Sequence, residues 1–181
     1  MALARVARYR NDSTNGVHVG ILMTDTSKFD LSTLTDEQRE AISKVGYFMQ
    51  EYIPFNKYIG LEITAVGPDY ALLRLPFKEE LVGDPQRRAI HGGVLSSVLD
   101  VAGGTVCWAA MMSLGSRVST VDLRVDYLRK GLCEELHCEA KLIRLGRSVG
   151  VARMEVFPVS NREHVIATGQ GVYNLVHSVK K

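Results

Sequence analysis

The sequence predicts an α+β fold: one long central helix wrapped by a curved antiparallel sheet of about six strands, with a further helix ahead of it. Three features carry this reading. Residues 91–114 form a long apolar stretch in which Asp100 is the sole charge between Gly92 and Ser116, the pattern of a core helix. Two strand-like runs precede that stretch and four follow it. Runs that are adjacent in sequence and joined by short turns pair antiparallel, so the strands form a sheet curled around the helix.

Each element has its own signal. Thr35 caps a helix, with Gln38 three residues later and Asp36 and Glu37 in the first turn. Ala41, Ile42, Val45, Phe48 and Met49 then recur at helical spacing, and Pro54 is expected to end the segment near Glu51. Strands are expected over 61–66 and 70–77, separated by the turn Gly67-Pro68-Asp69. A polar loop spans 78–88. After the central helix, Val121, Leu123, Val125 and Tyr127 alternate with Asp122, Arg124 and Asp126, a period of two. Leu136, Cys138, Ala140 and Leu142 alternate in the same way with His137, Glu139 and Lys141. Runs at 147–157 and 165–176 are rich in β-formers, and Gly146 and Asn161 mark turns.

Composition narrows the class. The chain has 181 residues, 46% hydrophobic and 23% charged, which suits a single globular domain. Residues 35–181 are read as that domain, and residues 1–34 as an N-terminal extension that is loosely ordered or docks on it. With 22 basic against 20 acidic side chains the net charge is +2, which argues against a nucleic-acid partner. No uninterrupted apolar run approaches about 18 residues, so no membrane-spanning helix is expected. Cys107, Cys133 and Cys138 lack a metal-ligand spacing and read as reduced, buried thiols of a cytoplasmic protein. The first residues are basic, with no acidic residue before Asp12. A mitochondrial presequence fits that pattern, but a short solvated arm is the expected state.

The chemistry concentrates at the start and middle of the central helix. A carboxylate inside an apolar helix is costly to desolvate, and persists when hydrogen-bonded, paired or used. Asp100 is therefore either a catalytic group or an acid satisfied by backbone or hydroxyl donors. His91-Gly92-Gly93 stands at the helix N-terminus, where unpaired N–H groups and a partial positive charge collect. Glycine lets a substrate carbonyl approach that backbone, so the motif is an oxyanion-hole donor or simply a tight turn. His91 fits a positioning role better than that of a base. Gly92 and Asp100 are eight residues apart, about 12 Å along a helix. One reacting centre needs both within roughly 3 Å, so two antiparallel copies of the helix are required and a two-fold dimer is expected. Gly103-Gly104 would fit a close contact between such helices, since two interior glycines cost about 2 kcal/mol against alanine.

His91-Gly92-Gly93, with Asp100 nine residues after the histidine, resembles the pattern of the hotdog-fold acyl-CoA thioesterases of the PaaI type. The segment 119–131, containing Asp126-Tyr127-Leu128-Arg129, matches that family's strand after the helix. Pro54-Phe55-Asn56, the run from Leu61 and Val82-Gly83 resemble its YigI-like branch, and the likeness covers about residues 36–176. The resemblance implies hydrolysis of a medium to long chain or aromatic acyl-CoA without metal or cofactor, by a homodimer that often pairs into a tetramer. It makes Asp100 the general base or nucleophile and the Gly92 N–H the group that polarises the thioester carbonyl. It places Thr120 near the reaction centre. Where the family often has Asn or Gln ahead of the His-Gly-Gly, this chain has Asp84, with Gln86 close by. If Asp84 faced Asp100, two carboxylates would share a site and one pKa would rise. Arg129, Lys130, Arg144 and Arg147 are the cations expected to meet the CoA phosphates. The rival readings are a non-catalytic acyl-CoA sensor and a hotdog dehydratase or hydratase.

Overall fold

The computed structural model describes residues 6–7, 20–22 and 33–178. Two short strands, β1 (Val6–Ala7) and β2 (Gly20–Leu22), precede α1 (Asp36–Glu51) and α2 (Pro54–Ile59). Next come β3 (Glu62–Val66), β4 (Tyr70–Leu75), a 3-10 turn at Glu79–Leu81, β5 (Val82–Asp84) and β6 (Ala89–Ile90). The long helix α3 (Gly92–Ala110) leads into β7 (Arg117–Tyr127), β8 (Leu136–Leu145), β9 (Val149–Pro158) and β10 (Ala167–Val176). The sheet runs β1-β2-β3-β4-β8-β9-β10-β7. From β3 to β7 it is the six-stranded antiparallel sheet expected, while β2 adds to it parallel to β3. The rest of the expected 1–34 extension lies outside the described residues.

The capping box forms as read, with Thr35 Oγ1 accepting the Gln38 N–H and Gln38 Oε1 accepting the Thr35 N–H. Pro54 does more than stop α1. It sits in the first turn of α2, where its missing N–H costs nothing, and Gly60 closes that helix in the left-handed region at φ 76°. The expected polar loop at 78–88 contains the hairpin strand β5 and leads directly into β6, an antiparallel pair that short polar runs do not announce.

α3 is the core helix expected, yet it is not buried on every face. Leu95, Val98, Leu99, Ala102, Val106 and Cys107 are buried in the core with the inward residues of β8, β9 and β10. Gly93, Ser97, Asp100, Val101, Gly104 and Trp108 are not, and their spacing places them on one face that stays partly open. By length and composition α3 would also suffice to cross a membrane, contrary to the estimate from uninterrupted apolar runs. Here it is the core helix of the wrapped sheet. Of the cysteines, Cys107 and Cys138 are buried and Cys133 only half-buried. Burial pushes the Cys107 thiol up to about 12, so it stays protonated.

Gly103, the first glycine of the α3 pair, has its packing reason inside the chain. A Cβ on Gly103 would lie 2.1 Å from the Tyr173 hydroxyl and 2.9 Å from Met154 Sδ, so Gly103 faces the sheet and not a second helix. A Cβ on Gly104 would come only within 3.7 Å of the Tyr173 ring. Gly103→Ala is therefore expected to destabilise by about 2 kcal/mol, overpacking and a displaced hydroxyl outweighing the gain in helix propensity. Gly104→Ala should stabilise by up to about 1 kcal/mol. Urea midpoints of the two variants should move in opposite directions.

On the outer face of the sheet, Arg74 bridges Glu62 at 2.7 Å and Glu135, and His137 lies 3.6 Å from Glu135. Burial holds the His137 imidazole below its ordinary 6.5, against the pull of the Glu135 carboxylate. The Arg74 hydrogen bond holds Glu135 below its ordinary range. Both shifts have the same consequence. The unfolded chain binds the extra protons, so the His137 contribution, full above pH 6.5, is lost as the pH drops through its folded value, and the Glu135 contribution is lost only below its ordinary 4.5. Melting temperature should decline between about pH 7 and pH 5, and less steeply in His137→Gln.

Candidate active site

The N-terminus of α3 leaves one donor free. His91 is the N-cap, and its Nδ1 accepts the Gly93 N–H at 2.9 Å. The His91 carbonyl takes the N–H groups of Val94 at 2.9 Å and Leu95 at 3.3 Å. Among the described residues nothing accepts the Gly92 N–H, so of the motif's two glycines only Gly92 offers a donor. Accepting through Nδ1 leaves the proton of a neutral His91 on Nε2, and the ring acts as a cap that orients the helix start. The backbone N–H of His91 donates to the Leu81 carbonyl at 2.8 Å. A Cβ on Gly83 would fall 2.6 Å from His91 Cα, so β5 can cross here only as glycine. The Gly92 carbonyl is tied down by Tyr127 Oη at 3.1 Å and Ser96 Oγ at 3.2 Å.

Asp100 lies two turns further on, on the open face of α3. Thr120 donates its hydroxyl to Asp100 Oδ1 at 2.8 Å, while Oδ2 has no hydrogen-bond partner among the described residues. Thr120 reaches the helix because β7 is bulged. Its pairing with β10 skips from Thr120 opposite Tyr173 to Asp122 opposite Val172, leaving Val121 unpaired and 65% exposed. The period of two expected from Val121 onward therefore starts only at Leu123, and the inward positions change parity across the bulge. Tyr173 Oη donates to the Asp100 carbonyl at 3.1 Å. Burial, and secondarily the Asp100 charge, push that phenol well above its ordinary range, so it remains a neutral donor.

A cleft of about 380 Å³ opens beside Asp100. Its apolar walls are Phe48 and Met49 of α1, Ile53, and Val101, Gly104 and Trp108 around α3. Asn56, Arg117 and Thr120 also line it. The contributions of α1 and α2 were not legible in the sequence. The α1 periodicity marked a face for the core, and nothing in it says that Phe48 and Met49 border a cleft. Asn56 is 1% exposed, and its side chain donates to the Met49 carbonyl at 2.7 Å, tying α2 to the end of α1.

The other expected site residues are scattered within one chain. Asp84 Oδ1 accepts the Arg87 N–H at 2.9 Å, closing the turn between β5 and β6, and Gln86 is exposed in the same turn. Neither borders the Asp100 cleft. Arg129 donates to the Val165 carbonyl at 2.6 Å and Lys130 to the Arg87 carbonyl at 3.1 Å. The Gly131 carbonyl accepts the Ile90 N–H, which brings these two cations to the N-terminal end of α3. Arg144 and Arg147 flank the β8–β9 turn, where Gly150 lies against Cys107 at the other end of the helix.

A helix wrapped by an antiparallel sheet, with a free N–H at the helix start and a hydroxyl-held carboxylate beside an apolar cleft, defines the hotdog class of acyl-processing proteins. The model of the thioesterase superfamily matches residues 88–164, from the turn before α3 through β9. The medium/long-chain acyl-CoA thioesterase YigI of Escherichia coli K12 is 36% identical over 137 residues, covering 69% of this chain and 87% of that one. A solved structure of a Shewanella oneidensis protein related to the thioesterase superfamily superposes with a TM-score of 0.72 at 30% identity. It covers 78% of this chain and 99% of that one. The PaaI protein of E. coli shares the fold at a TM-score of 0.67 and 20% identity, over 77% of this chain and 96% of its own. The chain belongs to the thioesterase superfamily and is a thioester hydrolase.

Proposed function

We propose that this protein hydrolyses acyl-CoA thioesters with medium to long acyl chains, in sites shared by two copies of the chain. The observation that carries the reading is the free Oδ2 of Asp100 at the side of an apolar cleft, with Oδ1 held by Thr120. The name of the YigI relative supports the acyl-CoA substrate and its length class. Asp100 removes a proton from water as the water oxygen attacks the thioester carbon, or attacks that carbon itself to form an anhydride that water then opens. In either course the carbonyl oxygen gains charge and the Gly92 N–H donates to it. The carbon–sulfur bond then breaks, the sulfur leaves as thiolate and is protonated, and the products are a carboxylic acid and free CoA. No cofactor enters this scheme.

The dimer supplies what one chain lacks. Gly92 and Asp100 of one helix are about 12 Å apart, too far for one carbonyl. Among the described residues β7 pairs only with β10, leaving an eleven-residue edge whose exposed Asp122, Arg124 and Asp126 alternate in charge. Two such edges, paired antiparallel about a two-fold axis, continue the sheet and set the helices side by side in opposite directions. The N-terminus of one α3 then approaches Asp100 of the other. Arg129 and Lys130 travel with that N-terminus and meet the CoA phosphates. Arg147 and Arg144, at the far end of each α3, are the second cationic group available to CoA. Asp84 and Gln86 would come to the site from the partner in the same way. Pairing of dimers into a tetramer and a cytoplasmic location complete the reading.

The test is thiol release from a panel of short, medium, long and aromatic acyl-CoAs. Release that peaks at medium to long chains supports the proposal. Binding of acyl-CoA without thiol release would refute it and favour a sensor.

A further inference from the structure

We infer that the aromatic pair Phe48–Trp108 is the floor of the acyl slot and sets the longest chain the protein turns over, an assignment that rests on the thioesterase reading above. Asp100, Gly104 and Trp108 follow one another at intervals of four residues, so they share one face of α3. Trp108 lies about 12 Å beyond Asp100 along the axis. All three border the same cleft, whose volume is about 380 Å³.

Gly104 keeps the lane open. A Cβ there would meet nothing nearer than the Tyr173 ring at 3.7 Å, so glycine is not forced by a clash, and its consequence is space in the cleft. The floor, by contrast, is fixed. Trp108 Nε1 donates to the Ser113 carbonyl at 3.2 Å, and the indole meets the Phe48 ring edge-on at 5.2 Å. Phe48 in turn stacks on Tyr52 at 5.3 Å. A side chain held by a hydrogen bond and a ring contact does not swing aside for additional methylenes. Phe48 belongs to α1, outside the residues 88–164 matched by the superfamily model, so half of the floor comes from the N-terminal helix.

The experiment compares thiol release across a ladder of saturated acyl-CoAs for wild type, Gly104→Leu and Trp108→Ala, with folding checked by circular dichroism. Gly104→Leu fills the lane and is expected to retain turnover of short chains while losing long ones by about tenfold or more. Trp108→Ala removes the floor and should move the optimum to longer chains. Should Trp108→Ala fail to fold, Phe48→Ala replaces it with the same expected shift. If both a lane variant and a floor variant keep the wild-type length profile, the chain lies elsewhere, and the floor is refuted while the thioesterase reading stands. Wild type that releases no thiol from any member of the ladder overturns both.

Discussion

Replacing Asp100 by Asn lowers kcat for acyl-CoA hydrolysis by about a hundredfold or more, with KM little changed and the fold intact. The substitution preserves shape. Asn keeps an oxygen for the Thr120 hydroxyl, and Asp100 is only half-buried, so no orphaned charge or cavity is left behind. What disappears is the basic and nucleophilic oxygen facing the cleft. A loss confined to kcat marks an interaction made in the transition state, whereas a rise in KM alone would mean that Asp100 merely binds substrate. Thiol release under saturating substrate makes the distinction. An Asn variant as fast as wild type would move the chemistry to another group.

Gly92→Pro is expected to cost about 10²- to 10³-fold in kcat, the usual effect of losing one oxyanion donor. Proline suits this position sterically. Gly92 is the first residue of α3, where a missing N–H breaks no helical bond, and His91 before it is already extended at ψ 133°. Its Cβ would meet the Tyr127 ring at 3.4 Å, an ordinary contact. The variant thus deletes one free N–H and little else. Mixing it with Asp100→Asn tests the shared site. Random pairing makes half of the dimers mixed, and each mixed dimer has one intact site of two, so about a quarter of wild-type activity returns. If both groups acted within a single chain, the mixture would be as inactive as its parts.

Local chemistry made much of this legible in advance. The Thr35–Gln38 capping box, the apolar run of α3 and the alternation in β8 depend on residues a few positions apart, and each formed where its pattern indicated. The same holds for the His91-Gly92-Gly93 turn and for the spacing that separates Gly92 from Asp100. Misreadings arose where distant segments decide the outcome. Gly103 looked like a seat for a second helix because a sequence does not show Tyr173, seventy residues later, reaching across to the Asp100 carbonyl. Val121 looked like an inward strand residue because a bulge is invisible until β10 pairs past it.

The helix-and-sheet composition, the single carboxylate in an apolar helix and the glycine at that helix's start are all written in short stretches of residues. These follow from hydrophobic period, capping and turn chemistry, which act over one or two turns of chain. That Thr120 hydrogen-bonds Asp100, that Gly103 packs on Tyr173 and that α1 walls the cleft is settled by the fold as a whole. Each of those depends on which segments the curled sheet brings against α3. That is a matter of long-range strand order and close packing, set by many distant contacts together.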